Sequence, residues 1–297
     1  MDEMKKVVSI KKPQNFSFKK CLAFLNRGYD ECLYEVNDGY VRRLIRISSG
    51  LILIHISSDG KMLNVSTNRK STATDIKEIR EYVTDWFDLK RDISDFYHLL
   101  NSYHETKDFS KNYFGLRLMG IVDLFEALCW CVIGQQINLT FAHKIKTKLV
   151  HKFGEKVAYK GRTYYCFPSP EKLVNIERQI LVDMQFSKQK IAYINNISQA
   201  LCEGQIQKLQ LLDLSKKKQM ETLLSIKGIG PWTANYVSMK SLRDMTCIAY
   251  GDTGLSSALH KIFNTDKKPS KTTIDRIFKP YCGWESYLNF YLWKSLS

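Results

Sequence analysis

Between Met220 and Asp252 the chain has little freedom in what it can build. Met220, Leu223 and Leu224 recur at helical spacing, and Gly228 and Gly230 then supply backbone freedom that residues with side chains lack. Pro231 follows at a place where its missing N–H costs nothing, the first position of a new helix. The stretch is read as two helices joined by a tight hairpin at residues 224–232. Such a hairpin can lay backbone N–H groups, at a helix N-terminus with partial positive charge, against a phosphate oxygen. A lone Gly-x-Gly between helices is also ordinary turn chemistry. Asp252 precedes Leu255, Ala258, Leu259 and Ile262, an apolar helical face, so the spacing predicts an N-cap there. Capping and a chemical role for that carboxylate are compatible.

Charge narrows what such a hairpin would meet. The 297 residues carry 45 Lys and Arg against 30 Asp and Glu, a net +15, which favours a polyanion through release of its counterions. Nucleic acid and an anionic membrane both fit that charge. The longest apolar runs, such as Leu51 to Ile56, are too short to span a bilayer, and Met1 to Lys12 has no signal-peptide core. No membrane partner is expected, and the expected location is cytoplasmic and nucleoid-associated. The eight cysteines show no C-x-x-C pair or other metal-ligand spacing, and the reading is of reduced, mostly buried thiols.

Two compositions follow one another along the chain. After a basic leader and a short helix over Phe16 to Asn26, β-rich runs lie near Cys32 to Val36, Tyr40 to Ile47, Leu51 to Ser57 and Met62 to Ser66. Asn37-Asp38-Gly39, Ser48-Ser49-Gly50 and Ser58-Asp59-Gly60 separate them, which predicts an antiparallel meander. A helix from about Asp75 to Leu89 covers one side of it. From Phe114 onward strand signals almost vanish, which places a small antiparallel-sheet domain at 1–112 and an all-helical domain at 113–297. The fold class is α+β. Asn138 is placed to cap a helix after the interruption at Gly134-Gln135-Gln136, and further helices are expected over Leu173 to Met184, Lys188 to Glu203, Leu211 to Ile226, Leu255 to Phe263 and Ile274 to Leu296. Lys216-Lys217-Lys218 is read as a solvated helix start.

Four segments, in this order, carry a resemblance: Ile133 to Ile137 (I-G-Q-Q-I), Cys166 to Pro170 (C-F-P-S-P), Ile229 to Tyr236 (I-G-P-W-T-A-N-Y), and Lys279-Pro280 followed by Ser286-Tyr287 and Trp293. With Asp252 twenty residues after Trp232, the chain resembles the 3-methyladenine DNA glycosylase II family of the helix-hairpin-helix DNA glycosylases. The resemblance covers most of the chain and implies a sheet domain before a helical one. It implies catalysis by Asp252, a base pocket of Trp232, Tyr236 and Trp293, and DNA contacts from Gln135, Gln136, Gly228, Ile229, Gly230 and Thr233. It also implies a monovalent cation, Na+ or K+, on the carbonyls of Leu224, Ile226 and Ile229. Some members carry an iron–sulfur cluster on four cysteines near the C-terminus; only Cys282 lies there, so no cluster and no other cofactor is expected. Two positions depart from the pattern: Gln136 stands where some relatives place an apolar wedge, and Thr253 leaves a smaller pocket wall than a tyrosine would.

The chemistry implied is monofunctional hydrolysis of the N-glycosidic bond of alkylated purines, of the 3-methyladenine and 7-methylguanine type, flipped out of double-stranded DNA. The expected state is a monomer, because one damaged nucleotide has no two-fold symmetry to match. A bifunctional glycosylase/lyase for oxidised guanine is the rival enzyme; it would place a Schiff-base lysine where this chain has Trp232. A non-catalytic helix-hairpin-helix damage sensor is the rival of another class.

Overall fold

The computed structural model describes residues 4–296. Five strands, β1 (Lys5–Lys11), β2 (Tyr34–Asn37), β3 (Tyr40–Ile47), β4 (Gly50–Ser58) and β5 (Met62–Thr67), form one antiparallel sheet in the order β1-β5-β4-β3-β2. The meander β2 to β5 follows the turn signals; Asn37 pairs with Tyr40 and Ile47 with Gly50, leaving two-residue turns between strands. β1 corrects the sequence reading of a basic leader. Its Val8 and Ile10 are buried while Lys5, Lys6 and Lys11 stay in solvent, so lysines on the outer face obscured an ordinary edge strand.

The helix over the sheet runs Ala73–Trp86, started by a reciprocal capping box between Thr72 and Asp75, and buries Ile79, Val83 and Trp86. The later half is helical with one addition. β6 (Lys156–Tyr159) and β7 (Arg162–Tyr165) form a hairpin whose turn residues, Lys160 and Gly161, both have positive φ. Tyr159, Tyr164 and Cys166 from this hairpin pack on Leu44 and Leu53, covering the second face of the five-stranded sheet. Three helices expected to be continuous are broken. Pro170–Leu173 and Arg178–Asp183 replace one, Lys208–Leu212 and Lys216–Leu224 another. In the third, Lys271–Phe278 gives way to a short 3-10 turn at Pro280 before Glu285–Lys294, because proline has no N–H to continue the ladder. Lys216, Lys217 and Lys218 lie exposed in a first turn, as the charge run suggests. Five of the eight cysteines are buried and all are free. Among the described residues no helix is long and apolar enough to cross a membrane.

Packing does not follow chain order. One core joins the sheet and the helix Ala73–Trp86 to the C-terminal helix Glu285–Lys294, which contributes Leu288, Phe290, Tyr291 and Leu292. A second core is built from Leu124–Gly134, Leu139–Phe153, Lys188–Cys202 and the apolar side of Pro231–Lys240. Trp232 packs against both cores, so the hairpin helix opens at the seam between them. A buried ion pair also crosses the chain's two halves. Arg43 of β3 meets Glu126 of the helix Leu124–Gly134, with the guanidinium 5.1 Å from the centre of the Trp86 ring.

Candidate active site

The hairpin begins where the helix Lys216–Leu224 ends. Ile229 donates its N–H to the Ile226 carbonyl at 3.0 Å, closing the turn. Gly228 has φ +112° and lies against Tyr193, so close that a Cβ would fall 2.6 Å from the ring. Gly230 differs: it is the N-cap of Pro231–Lys240, has ordinary φ, and a Cβ there would meet nothing within 4 Å. Ile229 and Thr233 are buried, so both face inward and only their backbone could reach a ligand. The first-turn N–H groups have no acceptor inside the helix.

Trp232 and Tyr236 sit one turn apart and stack at 5.4 Å; Tyr236 in turn lies 5.9 Å from Trp293 of the helix Glu285–Lys294. These rings border the Asp252 carboxylate. Asp252 caps Thr253–Phe263: its Oδ1 accepts the Leu255 N–H at 2.7 Å and the Trp293 indole N–H at 2.8 Å, and its Oδ2 accepts the Trp232 indole N–H at 3.2 Å. Gly254 leaves room for this, since a Cβ there would lie 3.1 Å from Oδ1. Burial pushes the Tyr236 hydroxyl far up, so it stays protonated. The structure therefore brings the four sequence-selected residues Asp252, Trp232, Tyr236 and Trp293 to one place.

The loop that delivers Asp252 is strapped to the C-terminal helix. Ser286 Oγ accepts the Cys247 N–H at 3.1 Å, Asn289 Oδ1 accepts the Ala249 N–H at 3.0 Å, and both residues are fully buried. Sequence reading passes over Asn289, although a polar residue inside the apolar run Tyr287 to Leu292 is a signal for such a strap. Across the seam, Gln135 ends the helix Leu124–Gly134, and Gln136 is exposed with φ +57°, a conformation that non-glycine residues seldom adopt. Asn138 caps the next helix by accepting the Phe141 N–H at 2.8 Å. Thr253 and Lys227 are exposed, and among the described residues no group of His, Cys, Asp and Glu could hold a metal ion.

Residues 129–282 match the family model for HhH-GPD superfamily base excision DNA repair proteins. The chain belongs to the HhH-GPD superfamily. Ahead of the HhH-GPD region, residues 4–128 match a model for the N-terminal domain of 8-oxoguanine DNA glycosylase. Among HhH-GPD relatives, a DNA-3-methyladenine glycosylase of Bacillus subtilis is 35% identical over 99% of this chain and 98% of its own length. DNA-3-methyladenine glycosylase 2 of Escherichia coli is 30% identical over 42% of this chain and 44% of its own. Two solved structures share the fold across nearly the whole length. A 3-methyladenine DNA glycosylase from Archaeoglobus fulgidus superposes with a TM-score of 0.84 at 20% identity, covering 97% of each chain. A Clostridium acetobutylicum 8-oxoguanine glycosylase/lyase bound to double-stranded DNA gives 0.77 at 18%, covering 98% of this chain and 96% of that one.

Proposed function

We propose that this chain is a monofunctional DNA glycosylase that hydrolyses the N-glycosidic bond of alkylated purines flipped out of duplex DNA, as the first step of base excision repair. The observation that carries this reading is the Asp252 carboxylate, bonded by both tryptophans and bordered by three aromatic rings. Breaking the bond builds positive charge on the deoxyribose, and a fixed carboxylate beside that ring stabilises it and can orient the attacking water. Alkylated purines such as 3-methyladenine and 7-methylguanine are cationic, and aromatic faces attract them. The Bacillus subtilis relative, matched over almost its whole length, carries the corresponding name.

Hairpin amides of Gly228, Gly230, Trp232 and Thr233 would hold a backbone phosphate, Pro231 having no N–H and that of Ile229 being spent on the Ile226 carbonyl, and a side chain at Gln135-Gln136 would fill the gap left by the flipped nucleotide. The carbonyls of Leu224, Ile226 and Ile229 are oxygen donors of the kind a monovalent cation takes, although the Ile226 carbonyl already accepts one N–H. A bound Na+ or K+ would add positive charge beside that phosphate. The reading includes a monomer acting on DNA in the cytoplasm, with no iron–sulfur cluster.

The two hairpin glycines separate folding from DNA contact. Gly228→Val should destabilise the free protein, because it combines a strained φ with overlap on the Tyr193 ring. Gly230→Val should leave the unfolding midpoint nearly unchanged and weaken binding to damaged and undamaged duplex alike, since phosphate contacts carry no sequence information. Fluorescence anisotropy across a salt series, beside denaturation curves, checks both. Tight binding by the Gly230 variant would remove the hairpin as phosphate anchor.

The oxidised-guanine glycosylase/lyase reading is the alternative, since a structural neighbour of that kind shares the fold. In this chain Trp232 stands where a Schiff-base lysine would be required, with its indole committed to Asp252. The expected result is release of free 3-methyladenine and 7-methylguanine, an intact abasic site, and no borohydride-trapped complex. Trapping through a lysine, or removal of 8-oxoguanine with neither methylated base released, would replace the proposal with its rival.

A further inference from the structure

One helix, Lys188–Cys202, touches both elements assigned to DNA contact, the hairpin and the turn at Gln135-Gln136. Lys190, buried in its first turn, donates from Nζ to the Ile133 carbonyl at 2.7 Å. Ile133 lies in the last turn of Leu124–Gly134, where carbonyls have no partner within the helix and an ammonium also meets the negative end of the dipole. Further along Lys188–Cys202, the Tyr193 ring lies against Gly228, where a Cβ would fall 2.6 Å from it. One more turn on, Asn196 Nδ2 donates to the Lys227 carbonyl at 3.2 Å. At 1.5 Å of rise per residue, the attachments at Lys190 and Asn196 are roughly 9 Å apart along the axis.

Lys190 fixes the turn at one end, through Ile133, and Asn138 fixes the other by capping the next helix. Gly134 to Ile137 lie between these points, and Gln136 among them holds φ +57°. A non-glycine residue keeps that conformation only where its surroundings impose it. The buried Lys190 charge is spent on imposing it, not on a phosphate. Flipping a nucleotide needs the backbone held and the vacated gap filled together, and a preset spacing between the two contacts removes the cost of ordering them at that moment.

We propose that the helix Lys188–Cys202 is the spacer that keeps the hairpin and the Gln135-Gln136 turn in register for nucleotide flipping, with Lys190 the positioning residue at the turn and Asn196 its counterpart at the hairpin. This rests on the glycosylase reading above, and ordinary capping of a helix end by Lys190 is the competing account. Capping alone would make the loss of Lys190 indifferent to whether the lesion is paired.

Single-turnover excision by the full-length protein, in saturating excess so that binding drops out, separates the two accounts. The substrates are 7-methylguanine opposite cytosine and the same lesion opposite an abasic analogue, where an unpaired base is cheaper to flip. Lys190→Met should slow release of the paired lesion about tenfold, the worth of one charge-assisted hydrogen bond. Release of the unpaired lesion should fall by less than about threefold. The salt dependence of undamaged-duplex binding should stay the same, because no phosphate contact is removed. Equal slowing on both substrates, or none on the paired one, would overturn the proposal. So would a shallower salt dependence, which would make Lys190 a phosphate contact. Where Lys190→Met fails to fold, Asn196→Ala at its partly exposed position decides: it should slow the paired lesion and spare the unpaired one, and an equal effect on both would overturn the proposal. A wild-type protein inactive on both substrates would instead sink the functional reading, and this inference with it, a result distinct from an active wild type whose variants ignore pairing.

Discussion

Asp252→Asn should lower the rate of base release by about a thousandfold or more while lesion binding survives, because the substitution removes charge and little else. Asparagine is as good an N-cap as aspartate, so its carbonyl oxygen can keep the Leu255 N–H and the Trp293 indole. Its amide would face the Trp232 indole, two donors toward each other, and that contact should be lost. A stability cost of about 1 kcal/mol is expected from it. Single-turnover excision with binding measured in parallel checks the prediction. Activity within about tenfold of the wild type, roughly 1.4 kcal/mol, would end the case for the carboxylate.

The largest effect on stability is expected at the ion pair joining β3 to the helix Leu124–Gly134. Burial pushes the Glu126 carboxyl up, with Arg43 opposing it, and Glu126 in turn helps hold the buried Arg43 guanidinium in its charged form. Glu126→Ala leaves that charge buried without a counter-charge and should cost about 3–5 kcal/mol in urea denaturation. Replacing both, Arg43→Met with Glu126→Leu, should recover most of the loss, since apolar groups of similar volume remove the desolvation cost altogether. A single-variant cost below about 1 kcal/mol would mean that water reaches the pair.

What the sequence discloses is mostly what short-range geometry encodes. The hairpin, Asp252 as a cap and the meander β2 to β5 are written in glycines, a proline, an N-cap and turn residues acting within a few positions of themselves. β1 is obscured because its partner β5 lies far along the chain and its exposed face is lysine. The β6–β7 hairpin is short and surrounded by helix, and its role, covering Leu44 and Leu53, exists only once the sheet is assembled. Trp232, Tyr236 and Trp293 could be selected from local motifs, whereas Asn289 acquires meaning only from a partner more than thirty residues distant.

The bonds around Asp252 also limit when it can act. An ionised carboxylate offers about four lone-pair directions. Leu255 and Trp293 occupy two on Oδ1, and Trp232 occupies one on Oδ2, so a single acceptor direction on Oδ2 is open to anything from outside. The electrostatic pull on a sugar cation needs no lone pair, but taking a proton from water does. Asp252 can therefore serve one hydrogen-bonded visitor at a time, and a water molecule already seated there would hold the position against any sugar hydroxyl. On the proposed reading, stabilising the sugar cation leaves that direction open, so the water to be activated has a single place on the carboxylate from which it can give up its proton.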